Sequence, residues 1–412
     1  MIRRAPTVAL AIALVALGLL LAGCGGGGDD STTTGSSVLT VYSSLPLQGP
    51  TAVESRAVLN GEKLALIEQD GRIGDLTVKL VALDDATAQR QGWDPGQTSR
   101  NARRAVQDRS AIAYLGESDS GATAISLPIL NADSLLQVSP LSTYVGLTKT
   151  AGADKGEPEK YYPSGKRTFG RVVPADDVQA AAQLQWQAQE GCMRPFVLDD
   201  RSFDGRGIAD EVRRQAVQDG RPVAGDASVA NESDIGDAVK AVTDSGADCV
   251  FFGGTQQSWT AALLTALHRA LPEGRIYASA ELATDQFVRT VPPAVQGSLR
   301  LTSPVLPTRV HPPAAAAFEA SYRRTFRESA PPQAIYGYEA MKTILVSINN
   351  ARGRGNDRDA VRRQFFRIRN RDSVLGSYSI DADGDTTIDD YGLYEVRSGL
   401  LHFLRKLDTQ KG

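Results

Sequence analysis

The sequence predicts an α/β fold built on parallel sheets, and three observations carry that expectation. From residue 38 onward, short apolar runs alternate with longer stretches whose apolar positions recur at three and four. That alternation is the mark of βαβ units. It stops over 146–170 and then begins again, so the chain reads as two copies of one architecture without an exact sequence repeat. Composition agrees: the 412 residues are 42% hydrophobic and 23% charged, which suits a globular protein of two or three domains. The formal net charge of −3 excludes a strongly basic nucleic-acid binder. Three histidines and three cysteines are too few and too scattered for a rich metal site.

The N-terminus carries the most specific local signal. Arg3 and Arg4 precede a run of 14 residues, 8–21, that is apolar apart from Gly18. Such a run is too short for a comfortable membrane span and suits the core of a secretory signal. It ends in Leu21-Ala22-Gly23-Cys24, which resembles the lipobox of bacterial lipoproteins. The resemblance implies that Cys24 is lipidated and becomes the first residue of the mature chain. Residues 24–37 are rich in Gly, Ser and Thr without apolar periodicity, the composition of a flexible tether. The expected order is therefore a signal over 1–23 and a tether over 24–37. With Cys24 used by the anchor, Cys192 and Cys249 remain. Outside the cytoplasm they are candidate disulfide partners, since each stands at the start of an apolar strand-like run. Two buried free thiols are the alternative.

In the first half, strands are expected over 38–42, 76–83, 111–115 and 135–138, with helices over 53–68, 98–107 and 122–130. Residues 146–170, rich in Gly, Lys and Pro, read as a surface excursion near a domain crossover. The second alternation has helices over 177–189, 208–217, 235–242 and 259–271. Its strands fall at 196–198, from 223, and at 249–252, 276–278 and 298–301. The last part has long helical patterns over 313–326 and 334–349 and strands at 378–380, 391–397 and 400–404. The acidic run 381–385 fails as a calcium loop, because the sixth position is Thr386 and the twelfth Gly392. A tight turn around Asp383-Gly384 fits better.

Tests for catalysis are negative. Gly205-Arg206-Gly207 is a fragment of a glycine-rich turn with no Lys-Ser/Thr after it. No metalloprotease helix motif surrounds His268, His311 or His402, and no Gly-x-Ser-x-Gly elbow is present. The chain looks like a binder, not an enzyme, and shows no cofactor or metal site.

Several stretches, in order, carry a resemblance to a known family. These are Ser44-Leu45-Pro46-Leu47-Gln48-Gly49, Gly116-Glu117-Ser118-Asp119-Ser120-Gly121-Ala122, Ser139-Pro140-Leu141-Ser142-Thr143, Arg171-Val172-Val173-Pro174-Ala175-Asp176, and Gly376 to Asp381 with Gly384-Asp385. Over roughly 38–405 the sequence resembles type I periplasmic binding proteins, nearest to the leucine-binding-like set that serves branched-chain amino-acid ABC importers. The resemblance implies two doubly wound parallel-sheet lobes joined by a multi-strand hinge, with the ligand in the cleft. It implies 38–170 and 306–370 as one lobe, and 171–305 and 371–412 as the other. Ser120 and Thr143 then fall where the family holds the ligand carboxylate and ammonium, with Ser118 and Ser142 next to them. The second lobe departs from the family's Asp-Asp-x-x-Tyr-Gly-x-Gly: Phe203 comes one residue early and Asp204 stands at the tyrosine position. Glu281 lies near the acidic group that meets the ammonium. An extra carboxylate at Asp204 favours a cationic or polar ligand. The implied function is an extracytoplasmic, lipid-anchored, monomeric solute-binding protein that captures an amino acid or related amide or acid. It delivers its ligand to an ABC permease or, in a rival reading, presents its closed state to a membrane kinase or receptor.

Overall fold

The computed structural model describes residues 33–221 and 223–408. The expected signal and the lipidation candidate Cys24 lie outside the described residues. The end of the expected tether is already tied down: Thr33 bridges to Asp357, and the Thr34 N–H donates to the Asn356 carbonyl at 2.7 Å.

Among the described residues, six strands form the first sheet, in the order Arg72–Ile73, Leu76–Asp84, Val38–Leu45, Ala111–Leu115, Leu136–Ser139, Phe169–Arg171. All pairs are parallel except the edge pair of Arg72–Ile73 with Leu76–Asp84. The second sheet runs Gly225–Ser228, Pro195–Asp199, Cys249–Gly253, Arg275–Ala278, Leu299–Ser303, Asp390–Arg397, Leu400–Asp408. Its first five strands are parallel and its last two antiparallel. Central strands such as Ala111–Leu115 and Cys249–Gly253 are buried along their whole length. Helices therefore cover both faces, and this is why these strands read as continuous apolar runs. Three crossings join the lobes: after Arg171, after Ser303, and before Asp390.

The third crossing differs from expectation. Residues 371–380 were expected in the second lobe, but Val374, Leu375, Tyr378 and Ile380 share one core with Ile335, Ile344 and Phe365. The small hairpin of Arg371–Asp372 with Ser377–Tyr378 thus belongs to the first lobe. The 381–385 segment is the expected tight turn: Asp381 Oδ1 accepts the N–H groups of Asp383, Gly384 and Asp385, each at 2.9 Å. Gly384 sits at φ +102°, and a Cβ there would lie 2.1 Å from the Phe169 carbonyl oxygen. Only glycine fits.

Residues 146–170 are not the expected surface excursion. Tyr144, Val145, Leu147, Tyr161, Tyr162 and Phe169 form a buried cluster around Leu127. The Tyr144 and Tyr161 hydroxyls both donate to the Glu157 carboxylate, each at 2.6 Å. The charged and glycine residues occupy the outside of this loop and mask its aromatic inside.

Glu62, on helix Ala52–Ile67, is fully buried and neither carboxyl oxygen is hydrogen-bonded. Burial pushes its carboxyl up to about 8, against smaller downward pulls from Ser43 and Lys63. A raised folded-state pKa means that the neutral form folds better. The stability is full below the unfolded carboxylate range and drains away as pH climbs through about 8. Glu62→Gln is expected to flatten this loss. Between about pH 5 and about pH 9, urea unfolding should show wild type losing on the order of 4 kcal/mol more than the variant. Equal slopes for the two proteins would refute it.

Candidate functional site

The site stands where the carboxyl ends of both sheets face each other, the usual ligand position in open α/β folds. From the first lobe come residues 116–119, which lead into helix Ser120–Ala132, and residues 140–144. From the second come residues 200–202, which lead into helix Phe203–Gln218, and the turn Ala280–Leu282. Helix Phe203–Gln218 begins five residues before the apolar pattern suggested. The cause is a cap, since Ser202 Oγ accepts the Gly205 N–H at 3.0 Å. The cap places Phe203 and Asp204 in the first helical turn. Phe203 packs edge-on against Tyr144 across the cleft, ring centroids 4.7 Å apart.

Ser120 is 2% exposed, and its Oγ accepts the N–H groups of Thr143 and Tyr144, both at 3.2 Å. It welds the two first-lobe loops together. Ser142 is fully buried; its hydroxyl donates to the Glu117 carbonyl at 3.0 Å and lies 2.7 Å from Thr123 Oγ1. This corrects its expected role: it braces the loop and is closed to a solute. Ser118 Oγ is buried without a partner. The Thr143 carbonyl accepts the Asp176 N–H at 2.8 Å, and the Thr143 hydroxyl helps hold down the Asp176 carboxyl.

Acidity dominates the electrostatics. Asp204 reaches from the second lobe toward the start of helix Ser120–Ala132. Burial raises its carboxyl, while the Ser120 hydroxyl, the Ser120 N–H and the Gly121 N–H pull it down. None of these donors closes a well-formed hydrogen bond, and Asp204 Oδ1 is buried with no partner. Asp119, at the N-cap position of that helix, makes no side-chain cap; burial, Asp204 and Asp85 push its carboxyl well up. Asp176 is pushed to about 7, by burial first and then by Asp204. Glu281 is exposed to solvent. Partial loss of water to the protein atoms around it, and then the charges of Asp204, Asp119, Asp176 and Asp200, raise its carboxyl. Asp200 itself is fully engaged, accepting from Ser202 and Thr255.

Three cations around the cleft are committed to other acids. Lys149 pairs with Asp177 and Asp385, Arg171 with Asp385, and Arg206 with Asp154. Asp119 and Asp176 escaped sequence reasoning. Asp119 stood in the middle of one quoted motif and Asp176 at the end of another, but nothing local showed that they would meet.

Cys192, just before strand Pro195–Asp199, and Cys249, at the start of strand Cys249–Gly253, are joined by a disulfide, with Cα atoms 5.8 Å apart. Among the described residues, Cys192, Asp248 and Cys249 are the only group of potential ligands close enough to hold a metal ion. The disulfide consumes both sulfurs.

Comparison with known proteins agrees with this geometry. The family model for periplasmic binding proteins matches residues 43–400. The chain is 24% identical over 332 residues to an amino acid binding protein of Pseudomonas aeruginosa, covering 80% of this chain and 82% of that one. It is 24% identical over 365 residues to the Leu/Ile/Val-binding protein BraC3 of Rhizobium johnstonii, covering 88% and 92%. Among solved structures, the leucine binding protein LivK of Thermotoga maritima superposes with a TM-score of 0.73 at 21% identity, covering 90% of this chain and 99% of that one. A solute binding protein of R. palustris in complex with benzoate gives 0.69 at 17%, covering 90% and 96%. These relatives are binding proteins, not enzymes. With its two parallel-sheet lobes and facing loop ends, the chain belongs to the periplasmic binding protein family and is thus an extracytoplasmic binding protein.

Proposed function

We propose that the protein captures a small ammonium-bearing solute, of the amino-acid class or a related amine or amide, in the cleft between its lobes. It then delivers that solute to an ABC importer, held at the membrane as a monomer by a lipid on Cys24. One observation carries the reading of the ligand: Asp119, Asp176, Asp204 and Glu281 converge on the cleft from both lobes, while Lys149, Arg171 and Arg206 pair with other acids. A cation there relieves mutual repulsion that the empty cleft must bear. Names of relatives support the transport role, since they describe amino-acid and Leu/Ile/Val binding.

The mechanism needs no covalent step. A solute that touches both lobes binds the closed form better than the open form and so shifts the population toward closed. The closed pair of lobe surfaces is what a permease would read.

The test is a thermal-shift screen of the mature chain over amino acids, amides, amines and small acids. A cleft ligand at about 100 times its Kd stabilises the fold by about 2.7 kcal/mol, a shift of several degrees. Thr143→Ala is expected to weaken binding of any hit at least tenfold, with melting of the free protein little changed. Unchanged calorimetric affinity in that variant would remove Thr143 from the site. A screen without a single hit would count against solute capture.

A further inference from the structure

The start of helix Ser120–Ala132 is where a solute carboxylate would be held. Its first N–H groups are not used within the helix, the Asp119 side chain does not cap it, and the Ser120 hydroxyl keeps its own proton to donate. In this chain a carboxylate of the protein already stands there. Asp204, delivered by the second lobe, faces the Ser120 hydroxyl and the N–H groups of Ser120 and Gly121. Gly121 is closed in from the other side, since a Cβ there would lie 2.7 Å from the Trp93 ring and 3.3 Å from Phe203 Cβ. A solute carboxylate would need the space in front of these donors, where Asp204 stands. It would also add a further anion among Asp119, Asp176, Asp204 and Glu281.

We propose that Asp204 takes the place of a solute carboxylate at this helix start, so that the cleft selects an organic amine that carries no carboxylate. This rests on the reading of the cleft as a solute site and narrows its ligand class. A second, independent observation points the same way: Asp204 Oδ1 is buried with no hydrogen-bond partner. A buried carboxylate oxygen left unpaired is costly, and an ammonium N–H is the donor it lacks. The spread of the acids argues for an organic cation over a metal ion. Among the described residues, the four carboxylates do not form a group with oxygens within 4.8 Å of one another. A diamine or an amine on a short alkyl chain can reach several of them, with Phe203 and Tyr144 beside its carbon skeleton.

The experiment is calorimetry on the mature wild-type chain with four probes: isoamylamine, 1,4-diaminobutane, L-leucine and benzoate. At least one amine is expected to bind tenfold or more tightly than leucine, and benzoate is expected not to bind. Asp204→Asn should weaken the amine at least tenfold, and Asp204→Ala should raise affinity for leucine by vacating the helix start. Leucine or benzoate binding the wild type as tightly as both amines overturns this inference and leaves solute capture standing. Absence of binding by both amines overturns the inference, and only a hitless screen beside it would count against solute capture as well. A folded Asp204→Asn variant with unchanged amine affinity also overturns the inference. Should the variants not fold, the wild-type comparison decides alone.

Discussion

Asp385→Ala is expected to destabilise the protein by about 3–5 kcal/mol, because it leaves Arg171 charged and buried without its partner. Arg171 is fully buried at the first lobe crossing. Its Nε donates to Asp385 Oδ1 at 2.7 Å, its Nη1 to the carbonyls of Ser142 and Tyr144, and its Nη2 to Thr148 Oγ1. Asp385, from the third crossing, also accepts from Thr148 at 3.1 Å and pairs with Lys149 at 3.2 Å. Burial alone would raise its carboxyl, but Arg171 and Lys149 outweigh that and hold it below the usual carboxylate range. A depressed folded-state pKa gives stability that is present above the unfolded value and lost as pH falls through the folded one. Asp385→Ala should therefore flatten acid unfolding at its low-pH end as well as lower the urea midpoint at neutral pH. A midpoint change equivalent to less than about 1 kcal/mol would show that the guanidinium finds other partners. The same network holds the Ser142–Tyr144 loop, so solute affinity should fall in parallel.

The second large effect is loss of the disulfide. Cys192 and Cys249 are 57 residues apart in sequence. Closing a loop of that size removes about 4 kcal/mol of chain entropy from the unfolded state at 25 °C. The Cys192→Ser/Cys249→Ser double variant is expected to lose about 2–5 kcal/mol, and the wild type in reductant should approach it. Both cysteines border the second sheet, next to Pro195–Asp199 and at the start of Cys249–Gly253. The loss should therefore appear first as faster amide exchange in that sheet, with the first lobe's sheet protected for longer. Identical melting with and without reductant, checked by free-thiol titration, would contradict it.

The order of elements was legible because its signals are local. Strand Ala111–Leu115, helix Asp176–Gln189 and strand Cys249–Gly253 each announce themselves through spacing within a few residues. The turn at Asp383-Gly384 was legible for the same reason. So was the pairing of two cysteines that each preface a strand. Residues 371–380 were misplaced because a short hairpin carries no mark of which core it will cover. The aromatic cluster of Tyr144, Tyr161 and Tyr162 was missed because its glycines and lysines set the local composition.

The sequence by itself determined the α/β class, the doubled architecture, and the presence of Ser120, Thr143, Asp204 and Glu281 near strand ends. Tertiary structure alone decided which of these work together. It turned Ser142 into a brace, brought Asp119 and Asp176 to the cleft, and set Asp204 against the first turn of helix Ser120–Ala132. The reason is range. Hydrophobic periodicity is a property of neighbours along the chain, whereas the charge of a cleft is a sum over residues that only the crossings between two lobes bring within a few ångströms.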